Sequence, residues 1–348
     1  MKKIKKEIKI AILGAGWFGC YIGHELVKEN LNITIFEKQK DIFQNGSGNN
    51  QNRLHLGFHY PRSYLTRKMS REGYAEFIKK FPQFVKKIDK NIYAIAKDKK
   101  NLVTARTYEQ TMNKSKVNFS KIDLKKTKLQ NIVEAYNTNE KFIDQKTVIS
   151  FFKKKLKKYI IFNKDIKKIK KIKNKYQIDN KLFDFVINCT WQQSFVVEYF
   201  NLTYEHCLVS LYKPKVKNHS SYTIMDGPYY TLYQWGKNIF SLYSVKDSRV
   251  LSSKNYNLVN ESLKKISSKK KVIIRDKISD GFIKFYPLFK KNFTFIKNLN
   301  SIRTIVKNKK DARVCIVKNN DNFINILSGK IDHIFFAYRE VLKCLKIY

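Results

Sequence analysis

Two periods of apolar and polar residues alternate along the chain, and the switches between them outline its parts. Residues 10–13 form a short apolar run ending at Gly14, and 17–30 continue as an amphipathic helix. A second strand, Asn32-Ile-Thr-Ile-Phe36, follows at once, giving the strand, helix, strand order of a parallel unit. Further on, the pattern predicts a helix over 144–158, short strands at 160–162, 166–172 and 176–178, and a buried parallel strand at 183–188 running into Cys189 and Thr190. Residues 322–327 repeat the theme as a strand leading through Ser328, Gly329, Lys330 and Ile331 into a helix over 332–345. Segments 81–141 and 201–300 differ in character. The second is rich in strand formers and aromatics, with Asp226-Gly227 and Trp235-Gly236 as turn signals, and reads as an antiparallel sheet. Its Tyr230 and Tyr233 suit a core and the wall of a ligand pocket equally well.

Glycine placement gives the first of these turns a chemistry. Only twelve glycines occur in 348 residues, yet Gly14, Gly16, Gly19 and Gly23 share one ten-residue stretch. In Gly14-Ala-Gly16-Trp-Phe-Gly19 the first glycine permits a tight turn, the second lets a pyrophosphate approach the backbone, and the third seats the helix on the strand. A diphosphate then rests on the helix N-terminus, where N–H groups and the dipole favour an anion. Glu37 closes the second strand at the spacing where an acid accepts from ribose hydroxyls and disfavours the extra phosphate of NADP. The expected dinucleotide contacts are therefore Gly14, Ala15, Gly16, Trp17, Phe18, Gly19, Glu37 and Lys38. The same glycines rule out a secretory signal, whose apolar stretch is continuous. No segment approaches the roughly 18 uninterrupted apolar residues of a membrane span, so a soluble, cytoplasmic protein is expected.

Composition changes the picture in two places. The length suggests two domains, and the formal net charge of +43 points first to nucleic acid or an anionic surface. However, the lysines are spread along the whole chain among Ile and Asn, and no nucleic-acid module accompanies them, so the expected partner is a small molecule and not a nucleic acid. The five scattered cysteines, without a C-x-x-C, read as reduced, buried thiols.

Arginine is the second signal. Lysine outnumbers it 61 to 10, so each retained arginine points to a need for the planar guanidinium. Four of the ten, Arg53, Arg62, Arg67 and Arg71, fall in one region with His55 and His59. The run there opens with Gly46-Ser-Gly48-Asn-Asn-Gln, whose small polar residues supply backbone donors, and continues Asn52-Arg53-Leu54-His55-Leu-Gly57-Phe-His59-Tyr60-Pro61-Arg62-Ser63. Leaving the second strand, this loop can follow a cofactor to its reactive end. Asn52, Arg53 and Leu54 are then cofactor contacts, and His55, His59 and Tyr60 orienting or acid–base groups. A metal reading of His55 and His59 fails, because Gly57 lies between them and no third ligand is near in the sequence.

With these pieces in order, the chain resembles the FAD-dependent oxidoreductases of the D-amino acid oxidase and glycine oxidase type. The resemblance rests on the Gly14 to Gly19 turn with Glu37, on Asn188-Cys189-Thr190, on Ser301-Ile-Arg303-Thr304, and on Ser328-Gly329-Lys330-Ile331. It implies an α/β fold: a Rossmann-type FAD-binding domain assembled from 1–80, 142–200 and 301–348, and an α+β cap, with an antiparallel sheet, from 81–141 and 201–300. Three separated segments contributing to one nucleotide site favour FAD over NAD. The resemblance further implies that Thr190, Ser328, Gly329, Lys330 and Ile331 contact FAD, and that Arg303 grips a substrate carboxylate, although Thr304 stands where the family carries proline. The expected activity is oxidation of a C–N or C–O bond of a small anionic amino acid, amine or hydroxy acid by hydride transfer to flavin. The Arg-x-His-x-Gly-x-His-Tyr run also looks like a segment of UDP-galactopyranose mutases. The alternative is thus a flavoprotein acting on a nucleotide-linked sugar in surface polysaccharide synthesis, with the arginines at 53–71 gripping the diphosphate.

Overall fold

The fold was analysed in a computed structural model, which describes residues 8–197, 200–308 and 312–346. The chain divides into two compact units: residues 1–48, 146–201 and 313–348 form the first, and 49–145 with 202–312 the second.

The first unit is built on a six-stranded sheet in the order Ile316–Asn320, Phe323–Leu327, Phe185–Asn188, Lys9–Leu13, Asn32–Phe36, Ile160–Ile161. All neighbours are parallel except the edge strand Ile316–Asn320. Lys9–Leu13 lies between two neighbours with all but its first residue buried, which is why it reads as a continuous apolar run and not an alternating one. The helices Trp17–Lys28, Gln145–Leu156 and Ile334–Leu345 fall where the helical period puts them, the last preceded by a 3-10 turn over Ile331–His333. The expected strand at 166–172 is shorter. Ile166 and Ile169 pack as extended chain against the cluster of Phe36, Tyr176 and Phe183, and only Lys170–Ile172 pairs, as the first strand of a small antiparallel sheet with Lys175–Ile178 and Lys181–Phe183.

The second unit carries a nine-stranded sheet. Its centre is antiparallel, as in the hairpin of Tyr230–Gly236 and Ile239–Ser244, but Ser221–Met225 runs parallel to Asn91–Ala96. That parallel pair joins the two segments that the sequence pattern had left apart, 81–141 and 201–300, into one sheet. The helix Ser268–Ile283 covers a core formed by Leu208, Tyr222, Leu232, Leu242, Ile278 and Phe282. Residues 49–80 and 301–312 belong by contact to this unit and not to the first. Arg53–Leu54 pairs with Lys141–Ile143, and 301–306 are the end of Phe293–Val306, which pairs along the whole of Leu202–Pro214.

His333 illustrates how burial in the first unit couples to pH. Its ring is essentially inaccessible, with Nδ1 3.1 Å from Ser328 Oγ. Burial, assisted by Lys330, pushes the imidazole down to about 3, and Asp332 at 3.8 Å does not reverse that sign. The native state therefore takes up this proton far less readily than the unfolded chain. Stability from this site is full above the unfolded value near 6.5 and is lost as pH falls from there toward 3, by on the order of 1 kcal/mol per pH unit. Urea unfolding of wild type and His333→Gln across this range is expected to show the steeper acid loss in wild type. Parallel curves would refute the assignment.

Candidate functional site

In the first unit, the glycine-rich turn leaves Lys9–Leu13 and opens the helix Trp17–Lys28. Gly14 sits at φ +95°, a conformation that a side chain would strain, and its N–H donates to the Phe36 carbonyl at 2.8 Å. The Ala15 N–H donates to Glu37 Oε2 at 2.7 Å and the Gln39 N–H to Oε1 at 2.9 Å, which fixes the carboxylate at the end of the second strand. Burial raises the Glu37 pKa, opposed by these two backbone donors and by Lys38. The first turn of the helix holds no acidic residue, and the Trp17 N–H donates to Ser47 Oγ at 3.0 Å.

A groove runs over this turn. Of the residues expected at the cofactor, Gly14, Gly16, Glu37, Lys38 and Thr190 line it. Ala15, Trp17 and Gly19 are buried beneath it, Trp17 edge-on to Phe43 at 5.0 Å and Phe152 at 6.3 Å, while Phe18 stands outside its wall. Thr190 Oγ1 donates to Asn188 Oδ1 at 2.6 Å. Ser328, Gly329, Lys330 and Ile331 also stand outside the wall, where Ser328 Oγ takes the Lys330 N–H at 3.3 Å and leads into the 3-10 turn. Gly46 and Ser47, which open the loop expected to follow the cofactor, also line the groove, and Phe43, Gln44, Asn45 and the stretches 164–166 and 193–195 complete the wall without having been indicated by the sequence. The residues present fit a dinucleotide. A carboxylate accepts at about four lone-pair positions, so two backbone donors leave Glu37 capacity for ribose hydroxyls. A helix start without acids suits a diphosphate.

In the second unit, residues 50–52 are tied to the hairpin, and Asn49 to Asn300 and Ser301 of the strand Phe293–Val306. Trp235 Nε1 donates to Asn50 O at 2.7 Å, Gln51 Nε2 to Ser241 Oγ at 3.1 Å, and Asn52 Nδ2 to Trp235 O at 3.2 Å. Asn52, Arg53 and Leu54, expected at the cofactor, are thus buried within this unit. The Arg53 guanidinium lies 4.0 Å over the Tyr233 ring and donates to Tyr93 OH at 2.8 Å and Thr223 Oγ1 at 2.9 Å. Tyr233, fully buried, has the core role. The pairing of Arg53–Leu54 with Lys141–Ile143 brings Glu140 alongside, its Oε2 2.6 Å from Tyr93 OH and 3.4 Å from Arg53. Burial works against the charge on Arg53, but Tyr93 and Glu140 outweigh it and raise its pKa.

The other oxygen of Glu140 faces the histidines. Oε1 accepts the Leu56 N–H at 2.8 Å and lies 3.8 Å from His55 Nδ1. The His55 ring sits 5.8 Å from His59 and 5.6 Å from Tyr60, and His59 is 5.3 Å from Tyr60, so the three expected acid–base residues form one cluster. Glu140 was not legible in the sequence. Its only signal was the scarcity of acids, 28 against 71 basic residues. Among the described residues, no group of three His, Cys, Asp or Glu side chains could hold a metal ion.

The arginines have separate tasks. Arg67 donates to Tyr60 O at 2.9 Å and Pro61 O at 2.6 Å, stapling the loop to the helix Tyr64–Lys80, and Arg67 (to Ser115 Oγ at 2.9 Å) and Arg71 (to Ser115 O) tie that helix to the end of the helix Ala105–Lys114. Arg62 pairs with Asp226 at 2.7 Å. Arg303 faces Glu205 across the strand pair and binds its Oε2 through Nε at 2.7 Å and Nη2 at 2.6 Å. Internal partners therefore take up the arginines expected to grip a substrate carboxylate or a diphosphate.

A family model described as FAD dependent oxidoreductase matches residues 9–235. The FAD-dependent monooxygenase FPY4 of Fusarium mangiferae is 27% identical, covering 97% of this chain and 90% of its own length. The FAD-dependent monooxygenase kojA of Aspergillus flavus is 25% identical, covering 98% and 86%. Among solved structures, the FAD-bound L-alpha-glycerophosphate oxidase from Mycoplasma pneumoniae superposes with a TM-score of 0.77 at 17% identity, over 97% of this chain and 94% of its own. The glycine oxidase of Geobacillus kaustophilus gives 0.70 at 10%, over 96% and 93%. At these identities the solved structures establish a shared fold. Among the described residues, no helix is long and apolar enough to cross a membrane.

Proposed function

The chain belongs to the family of FAD-dependent oxidoreductases, and from that premise we propose that it oxidises the C–O bond of a small hydroxylated substrate, with His55 as the proton acceptor. The residues around the Gly14 turn and Glu37 would hold FAD, which when bound would supply a two-electron acceptor for the hydride. The observation that carries the reading is the carboxylate behind His55. An alcohol carbon releases hydride readily only as its hydroxyl proton leaves, so alcohol oxidation calls for a general base, whereas an amine in its free-base form needs none. Glu140, fixed by Tyr93, Arg53 and the Leu56 N–H, faces His55 Nδ1. At 3.8 Å its Oε1 makes no hydrogen bond to Nδ1, but its negative charge beside the ring favours, through space, the proton on Nδ1 and the imidazolium, leaving Nε2 to accept the proton. Tyr60, edge-on, and His59, tilted by 50°, pack against the ring and orient it. With Arg62 paired to Asp226 and Arg303 to Glu205, this reading does not require an anionic substrate.

The two fungal relatives favour a second reading, oxygen insertion, through their names as monooxygenases. A monooxygenase draws two electrons from a donor other than its substrate, so anaerobic spectra separate the two. With oxygen excluded, a hydroxy compound from a panel of glycolate, glycerol 3-phosphate, D-mannitol, glycine and L-proline is expected to bleach the flavin absorbance on its own. His55→Asn is expected to slow that bleaching by about 10²–10⁴-fold. Bleaching by the amino acids alone would sink the C–O reading, and bleaching by NADH or NADPH alone would support oxygen insertion.

A further inference from the structure

A cavity of about 380 Å³ opens in the second unit beside the histidine cluster, with His59, Arg62, Leu102, Asp226, Pro228 and Tyr229 in its wall. Its size is that of a small-molecule site. The polar side is the ion pair of Arg62 Nε with Asp226 Oδ2 at 2.7 Å, the guanidinium the more exposed of the two. The loop that presents Asp226 is built tightly. The Asp226 N–H donates to Asn101 Oδ1 at 3.0 Å, and its carbonyl accepts the Leu102 N–H at 2.9 Å. At Gly227 a Cβ would stand 3.1 Å from the Lys100 carbonyl and 3.0 Å from the Tyr229 ring, so any side chain there would push the ring or the loop by a few tenths of an ångström.

The charges decide what such a cavity takes. A bare arginine in a chain of net charge +43 would suit a phosphate or carboxylate, but here Asp226 neutralises it and would repel a second anion at the same place. A guanidinium only donates hydrogen bonds and a carboxylate only accepts them. Side by side they match neighbouring hydroxyls, each of which can accept from Arg62 while donating to Asp226. Leu102, Pro228 and Tyr229 supply an apolar wall for the carbon face of the same ligand. We infer that this cavity binds the vicinal hydroxyls of a polyol or sugar, the part of the substrate remote from the reacting carbon. His59, which lines the cavity, has its ring 5.8 Å from that of His55, so a chain of a few carbons spans from the one to the other. The inference rests on the C–O reading above.

Calorimetric titration of the FAD-loaded protein, with oxygen excluded, tests it using D-mannitol, D-glucose, 1,6-hexanediol and glycerol 3-phosphate as probes. At least one of the two polyhydroxylated probes is expected to bind tenfold or more tighter than 1,6-hexanediol, which has the six carbons without the inner hydroxyls. Arg62→Ala and Asp226→Asn are each expected to weaken it at least tenfold while the flavin spectrum is retained. Should Asp226→Asn lose its flavin, the more exposed Arg62 carries the test. Neither probe exceeding 1,6-hexanediol, or glycerol 3-phosphate binding tightest, overturns the inference. Polyol binding without bleaching by any hydroxy compound removes the C–O reading and leaves the cavity assignment standing. Bleaching without preference for vicinal hydroxyls removes the cavity assignment alone.

Discussion

Gly19→Ala is expected to yield a protein that no longer retains FAD. A Cβ at this position would lie 1.9 Å from the Gly14 carbonyl oxygen and 3.1 Å from its carbon. Both are backbone atoms, so no flexible side chain can yield, and the helix Trp17–Lys28 must lift from the strand Lys9–Leu13. Overpacking of this kind costs about 1–3 kcal/mol and sometimes more. Here the displaced element is the helix start proposed to carry the diphosphate, so the expected effect on the cofactor exceeds the effect on folding. Gly16→Ala provides the contrast: its Cβ would lie 2.5 Å from Ser47 Oγ, a side-chain atom, so Ser47→Gly is expected to relieve the clash and return part of the lost stability, while FAD retention stays low because the Cβ still stands where the pyrophosphate approaches. Flavin absorbance per protein after gel filtration, together with urea unfolding, measures both. Full retention of FAD by Gly19→Ala would remove the dinucleotide role from this turn.

Glu140→Ala is expected to be the most destabilising substitution in the second unit. Arg53 and Glu140 are both buried, and removing the carboxylate leaves a guanidinium with Tyr93 and Thr223 but no counter-charge. Breaking a buried pair in this way costs about 3–5 kcal/mol. Glu140→Gln keeps the shape and one acceptor, so its loss of stability is smaller and the protein remains measurable. If Glu140 positions His55, this variant lowers the rate constant of flavin reduction while the apparent substrate affinity holds. A purely structural Glu140 would leave that rate constant unchanged in the folded fraction. Chemical denaturation and anaerobic stopped-flow absorbance separate the two outcomes.

Local signals made the first unit readable. The Gly14 to Gly19 spacing, the switch between strand and helix periods, and Glu37 closing the second strand all act between residues close in sequence, so the turn, the helix and the parallel strands follow from the order of residues. The same logic located His55, His59 and Tyr60 as a group, because three chemically capable side chains fell within one short loop. It reached less far with 166–172, where apolar residues that resemble a strand instead pack as extended chain against Phe36 and Phe183.

Arginine composition correctly marked residues with special geometric duties but could not name their partners. Arg53 finds Glu140, Arg62 finds Asp226 and Arg303 finds Glu205 only because distant strands pair in particular registers. The sequence by itself determined the dinucleotide turn, the α/β character and the histidine loop, since sterics and periodicity operate over a few residues. Tertiary structure alone decided which charges neutralise one another, because an ion pair depends on distances that the fold sets between residues far apart in the chain.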